Sequence, residues 1–125
     1  MAFKIGQTYP RMEISNELGG DYVSYLPMHG GKVVCGCFKK IPKYNPGAPE
    51  EVTIGKGPKV ESAARKISQQ HEPIPIFRFR YNAAWEYIGD YRCTKYETDP
   101  VLCQRKMHEN PERGLIVGVL YFEKV

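Results

Sequence analysis

The stretch Pro73-Ile-Pro-Ile-Phe-Arg-Phe-Arg-Tyr-Asn-Ala-Ala-Trp-Glu-Tyr-Ile-Gly-Asp-Tyr-Arg-Cys93 decides how the rest of the chain is read. It has the form of two strands joined by a short turn. Side chains on a strand alternate with a period of two, so Ile74, Ile76, Arg78 and Arg80 should project to one side and Phe77 and Phe79 to the other. In the second strand the same rule puts Trp85, Tyr87, Tyr91 and Cys93 on one face, opposite Glu86, Ile88, Asp90 and Arg92. Gly89 interrupts that strand where a bulge or a close backbone approach is expected. A lone hairpin is marginal in water, so the remaining elements must close around this one.

Upstream, Phe3 to Gln7 reads as a short edge segment. Thr8 then caps a short helix with Pro10 in its first turn, Ile14 and Leu18 on one face, and Gly19-Gly20 as its stop. Asp21 to Pro27 is a loop and His29-Gly30-Gly31 a turn. Lys32 to Phe38 reads as a strand, Tyr44 to Pro49 as a proline-rich loop, and Glu51 to Ile54 as a short strand. From Pro58, Val60, Ala63, Ala64 and Ile67 fall at i, i+3, i+4 and i+7, which makes an amphipathic helix. Downstream, Asp99-Pro100 is a cap and first turn for a helix to about Glu109, broken by Asn110-Pro111. Leu115 to Phe122 is a nearly continuous apolar strand, expected at the centre of a sheet. The total is five or six short strands with two or three helices, an α+β domain with a curved or barrel-like sheet.

At 125 residues the chain suits one domain with one core, spanning residues 1–125. There is no apolar run long enough for a membrane helix and no hydrophobic signal core at the start, so an intracellular protein without a membrane partner is expected. The formal charge of +4 is unevenly placed. Residues 32–80 hold ten bases and four acids, and both flanks are slightly acidic, so the positive middle third fits a polyanion. Cys35, Cys37, Cys93 and Cys103 lack zinc-knuckle spacing and read as buried thiols, with Cys35 and Cys37 pointing the same way. No metal and no cofactor is implied.

The motifs of catalysis are missing. His29, His71 and His108 sit beside turns or charges, and neither a nucleophile triad nor a dinucleotide fingerprint is present. Gly55-Lys56-Gly57-Pro58 lacks the length and the Ser or Thr of a Walker loop, though its lysine and helix start suit a single phosphate. Basic residues interleaved with aromatics, as in Phe77-Arg78-Phe79-Arg80, suit nucleic acid, since phosphates take cations and unstacked bases take π-faces. Phe77, Phe79, Trp85 and Tyr91 read first as core. Asp21-Tyr22-Val23-Ser24-Tyr25, a carboxylate beside two tyrosines and a serine, reads as a pocket.

Phe3-Lys4-Ile5-Gly6-Gln7-Thr8-Tyr9, followed by Arg11, Ile14 and Leu18-Gly19-Gly20, resembles the opening of the SRA-like (SET- and RING-associated) domains found beside HNH nucleases in modification-dependent restriction enzymes. The helix from Pro58, Ile74-Pro75-Ile76-Phe77, and Trp85-Glu86-Tyr87-Ile88-Gly89-Asp90-Tyr91-Arg92 resemble their later part. Gly30–Val34 and Asn45–Pro49 are similar to blocks in stand-alone sequences of this kind. The resemblance covers most of residues 3–93. It implies a PUA-like, partly closed β-barrel that grips double-stranded DNA, flips one nucleotide and inspects it for a modification such as 5-methyl- or 5-hydroxymethylcytosine. Flipping is how a base becomes fully enclosed. The loop after the double glycine differs from the glutamine- and glycine-rich stretch of the nuclease-linked members, which leaves the base open and suggests a reader with a separate effector protein.

On that basis Tyr22 and Tyr25 are expected to sandwich the base, Asp21 to accept from an exocyclic amino group and Ser24 to add a polar contact, with Trp85 and Tyr87 completing the pocket. Lys39, Lys40, Lys56, Arg78 and Arg80 are expected to hold phosphates. The alternative pocket lies between Cys35–Phe38 and Trp85–Tyr91. Two other functions fit the same residues. One is a metal-independent enzyme acting on a nucleotide or modified nucleoside through the Asp21 loop, and the other is a protein-interaction module presenting its aromatics.

Overall fold

A computed structural model describes residues 3–125. The central hairpin is present as β6 (Ile74–Phe79) and β7 (Trp85–Glu97), antiparallel and joined by a turn in which Asn82 and Ala83 have positive φ. Arg80 N–H donates to the Ala84 carbonyl and Ala84 N–H to that of Tyr81, closing the turn. Around the hairpin a six-stranded sheet runs β4 (Gly36–Phe38), β6, β7, β8 (Gly118–Lys124), β5 (Glu51–Ile54), with β1 (Thr8–Tyr9) also pairing β7. β4 lies parallel to β6 and the other pairs are antiparallel. β2 (Met28–His29) and β3 (Lys32–Val33) form a separate small hairpin across Gly30-Gly31. The helices are α1 (Arg11–Leu18), α2 (Pro58–Gln69) and α3 (Pro100–Glu109), with a 3-10 turn at Pro111–Arg113. No described helix is long and apolar enough to cross a membrane.

The bulge falls at the expected glycine. Ile76 pairs with Gly89 and Phe77 with Tyr87, so Ile88 is the extra residue, and Gly89 has φ +123. The consequence overturns the expectation of one shared aromatic face. An extra residue reverses the alternation, so Trp85 and Tyr87 enter one core while Tyr91 and Cys93 enter the other. The partner strand obeys the same division: Ile74 and Ile76 face Tyr91, and Phe77 and Phe79 face Tyr87 and Trp85. Ile76 and Phe77 are both fully buried. Removing each side chain from water contributes about 1.5–3 kcal/mol, so this two-sided strand is a main source of stability.

The first core gathers Phe38 from β4, Val52 and Ile54 from β5, Leu120 and Phe122 from β8, and the face Ala63, Ala64 and Ile67 of α2. β4 and β5 are the two edges of the sheet, yet both reach this core, with the Phe38 and Phe122 rings 5.7 Å apart. The sheet is thus curled around its core without a closed ring of strands. This is an α+β, partly closed PUA-like architecture. The second core, on the other face of the hairpin, contains Ile14, Cys35, Cys37, Phe77, Trp85 and Tyr87, with Phe3 and Tyr9 packed edge-on to Phe77.

Several local expectations shift. The N-terminal edge reaches further than expected: Gly6 N–H donates to the Tyr87 carbonyl and Tyr87 N–H to that of Gln7, but the regular pairing is Thr8–Tyr9, so Thr8 lies opposite Glu86 and Pro10 takes the N-cap position of α1 without a side-chain cap. The segment from Lys32 to Phe38 is split. Val34 N–H goes to the Pro27 carbonyl and Cys37 N–H to that of Tyr25, so the 25–27 loop takes the bonds that a sheet partner would. The last strand begins at Gly118, with Leu115 exposed, but it lies between β7 and β5 as its apolar run implied. α2 and α3 start at Pro58 and Pro100 as read, and Asp99 caps α3 by accepting from Leu102 N–H at 3.2 Å.

Candidate nucleic-acid interface

The 20–27 loop leaves α1 at Gly19 and Gly20, both with positive φ, and returns alongside β4. Asp21 organises it. Its Oδ1 accepts from the amides of Val23 (2.8 Å) and Ser24 (2.6 Å), and its Oδ2 accepts from the Ser24 hydroxyl (2.7 Å). Burial works to raise this carboxyl's pKa, but the Ser24 and Val23 bonds and the nearby Arg11 charge outweigh it and hold the group below the ordinary aspartate value. Arg11, the first residue of α1, has a side chain that is almost covered. Its Nη2 donates to the carbonyls of Ser24 (2.9 Å) and Asp21 (3.3 Å), and its guanidinium lies over Trp85.

Between this loop, β4, the segment after it and the hairpin turn lies an open cavity of about 580 Å³, lined by Arg11, Tyr22, Val23, Tyr25, Cys37, Phe38, Lys39, Tyr44, Asn45, Phe79, Ala83 and Trp85. Six of these are aromatic. Tyr22 is half out in solvent at 51% exposure. Tyr25 is fixed, its hydroxyl donating to the Val60 carbonyl at 2.6 Å, and burial with Tyr96 nearby pushes its pKa far up, so it stays a neutral phenol. Phe79 and Trp85 meet edge to face at 5.2 Å. The Lys39 ammonium sits 5.0 Å from the centre of the Phe79 ring and 5.1 Å from that of Tyr44. Asn45 is held by Thr53, whose amide and hydroxyl donate to Asn45 Oδ1 at 2.7 and 2.9 Å, while Arg113 Nε donates to the same hydroxyl. A second cavity of about 730 Å³ lies between the loop and the start of α2, with Asp21, Ser24, Met28, Lys59 and Ser62 on its walls. Val23 and Tyr25 belong to both.

The expected base-pocket residues therefore separate into three groups. Tyr22, Tyr25 and Trp85 line the first cavity, which also occupies the space between Cys37–Phe38 and Trp85. Asp21 and Ser24 face the second cavity and are bonded to each other. Tyr87 lines neither: it packs with Phe3 and Phe77, its hydroxyl donates to Asp90 at 2.6 Å, and burial, helped by that bond, pushes its pKa up to about 12.

The expected phosphate holders also divide. Lys39 is inside the first cavity, and Lys40 beside it is exposed. Arg78 and Arg80 share the Glu86 carboxylate at 3.3 and 3.5 Å, with Arg80 the more exposed. At the α2 start, Gly57 N–H donates to Glu61 Oε2, so a carboxylate already takes the place imagined for a phosphate next to exposed Lys56. Cys35 and Cys37 lie together in the second core, where the bond between them and burial keep Cys35 a thiol. Among the described residues no group of His, Cys, Asp and Glu gathers as a metal site.

Arg11, Tyr44, Asn45 and Phe79 were not foreseen as cavity residues. Phe79 alternates with the buried Phe77 and carried a signal that was read as core. Arg11, Tyr44 and Asn45 reach the cavity only through tertiary folding and have no local pattern.

Strand order, curled sheet and flanking helices define an SRA-like domain fold. The chain is similar to the SUVH5 SRA in its crystallised complex with hemi-methylated CG DNA, with a TM-score of 0.61 and 14% sequence identity over 100% of this chain and 90% of that one. No protein-family model matches the sequence, and the curated proteins contain no match.

Proposed function

We propose that this protein binds double-stranded DNA and reads a modified base, taking the flipped nucleotide into the 580 Å³ cavity. The observation that carries the reading is that cavity itself: an open pocket with aromatic walls on an SRA-like fold, the fold of a domain crystallised with hemi-methylated DNA. Its volume is within the usual range for small-ligand sites, about 300–1,000 Å³. Tyr22 and Tyr25 supply the π-faces that a base leaving the duplex stack needs, with Trp85 as a deeper wall. Lys40 and Arg80, both solvent-accessible, are placed to meet backbone phosphates, and Lys56 extends the basic surface. Asp21 and Ser24 act through the loop they hold rather than on the base edge. Catalysis is left to a separate effector protein.

The test is a gel-shift series with matched duplexes, modified and unmodified, at two salt concentrations. Tighter binding of a modified duplex, with affinity falling steeply as salt rises, is the expected result. Equal binding of every duplex would remove the reader function, and absence of binding at low salt would favour a protein-interaction module.

A further inference from the structure

We propose that the base this cavity takes carries an anionic substituent, a carboxylate above all, and that Lys39 is the residue that reads it. The inference rests on the base-reading function above and narrows its ligand class. No carboxylate lines the cavity, whereas two cations, Arg11 and Lys39, do. Two acids on the loop and hairpin that wall the cavity are engaged elsewhere: Asp21 binds Ser24 and Val23, and Glu86 holds Arg78 and Arg80. Arg11 is committed to two loop carbonyls and to Trp85.

Lys39 is different. It is a partly buried residue whose ammonium rests against the rings of Tyr44 and Phe79, with no ion pair and no hydrogen bond to another side chain or carbonyl among the described residues. A cation drawn partly out of water without a counter-charge gains most from an anion brought to it. A methyl group would only strip its remaining water, and an exocyclic amino group would offer it another donor. Lys40, one residue on and exposed, is better placed for the mobile, solvated phosphates of the backbone. The two lysines thus divide the work, one inside the cavity and one outside.

The experiment measures fluorescence anisotropy with matched duplexes bearing cytosine, 5-methylcytosine, 5-hydroxymethylcytosine or 5-carboxycytosine at one position. The carboxylated duplex should bind about tenfold or more tighter than the methylated one, as one charge-assisted contact implies. Lys39→Met should erase that margin while moving the methylated duplex by less than about threefold, Lys39→Arg should keep most of it, and Lys40→Ala should weaken every duplex alike. Binding of the methylated duplex by Lys39→Met also serves as the folding control. A wild-type preference for methyl or hydroxymethyl over carboxyl would overturn the inference and leave the reader function standing. Equal loss on all duplexes in Lys39→Met would assign Lys39 to the backbone and also overturn it. No discrimination among the four duplexes would remove both.

Discussion

The guanidinium of Arg11 stands over the ring of Trp85, 5.3 Å from its centre, and at the same time holds two carbonyls of the 21–24 loop. One side chain thereby fastens the mouth of the cavity to the strand that forms its back wall. Arg11→Ala removes two charge-assisted bonds and a cation–π contact, and should lower stability by about 2 kcal/mol. Lysine at this position keeps the charge but not the fork, so Arg11→Lys should recover less than half of the loss. Urea unfolding of the three proteins, with DNA affinity measured alongside, checks both statements.

Asp21 is a loop organiser, so its substitution should act on shape. Asp21→Ala frees two amides and a hydroxyl, lets Tyr22 drift, and should weaken binding of every modified duplex. Asp21→Asn keeps an acceptor for both amides and should stay close to wild type. The folded carboxyl ionises below the ordinary aspartate value, so its contribution is present above the unfolded pKa of about 3.9 and is lost as pH falls through the lowered folded value. Acid unfolding curves should show this loss in wild type and its absence in Asp21→Asn.

Tyr22 and Tyr25 share a cavity but differ in what else they do. Tyr22 is half exposed and has little packing to lose, so Tyr22→Ala should leave the unfolding midpoint unchanged while costing about 1–3 kcal/mol of binding, the worth of one stacked base. Tyr25→Phe keeps the ring and deletes the bond to Val60. It should lower stability by about 1 kcal/mol and leave DNA affinity nearly intact.

Glu86 restrains two arginines at once. Glu86→Gln releases them, and Arg80 then becomes available to a phosphate. Affinity for unmodified DNA should rise, and the slope of log affinity against log salt should steepen by about one for each phosphate gained. Arg80→Ala in the same background should reverse the change.

Gly89 holds the bulge at φ +123, and an added Cβ would come within 3.0 Å of the Lys124 side chain. The lysine can move aside, but the backbone strain stays. Gly89→Ala should therefore destabilise the fold by roughly 1–3 kcal/mol, visible as a lower midpoint with an unchanged slope in urea.

Much of the fold can be read directly from the chain. The central hairpin, the bulge at Gly89, β5 and the starts of α2 and α3 follow from alternation, helical spacing and capping chemistry, all of which act between near neighbours. The reading fails where a distant partner decides. Strict alternation put Trp85 and Tyr91 on one face, because a period of two has no memory of an inserted residue. Val34 looks like a strand residue, but a loop from earlier in the chain takes its amide. The same limit applies at the cavity. Tyr22 and Tyr25 are conspicuous as a pair, whereas the carboxylate beside them bonds to its own loop, and Arg11, Tyr44 and Asn45 arrive from segments with no pattern of their own.

The phase reversal at Ile88–Gly89 makes β7 a structural member of both cores, aromatic on one side before it and on the other side after it. Neither core can come apart while the strand stays in the other, because a single rigid backbone serves the two. Melting should accordingly be all-or-none: one calorimetric peak whose van't Hoff and measured enthalpies agree, with the amides of β7 exchanging their hydrogens only through that global event.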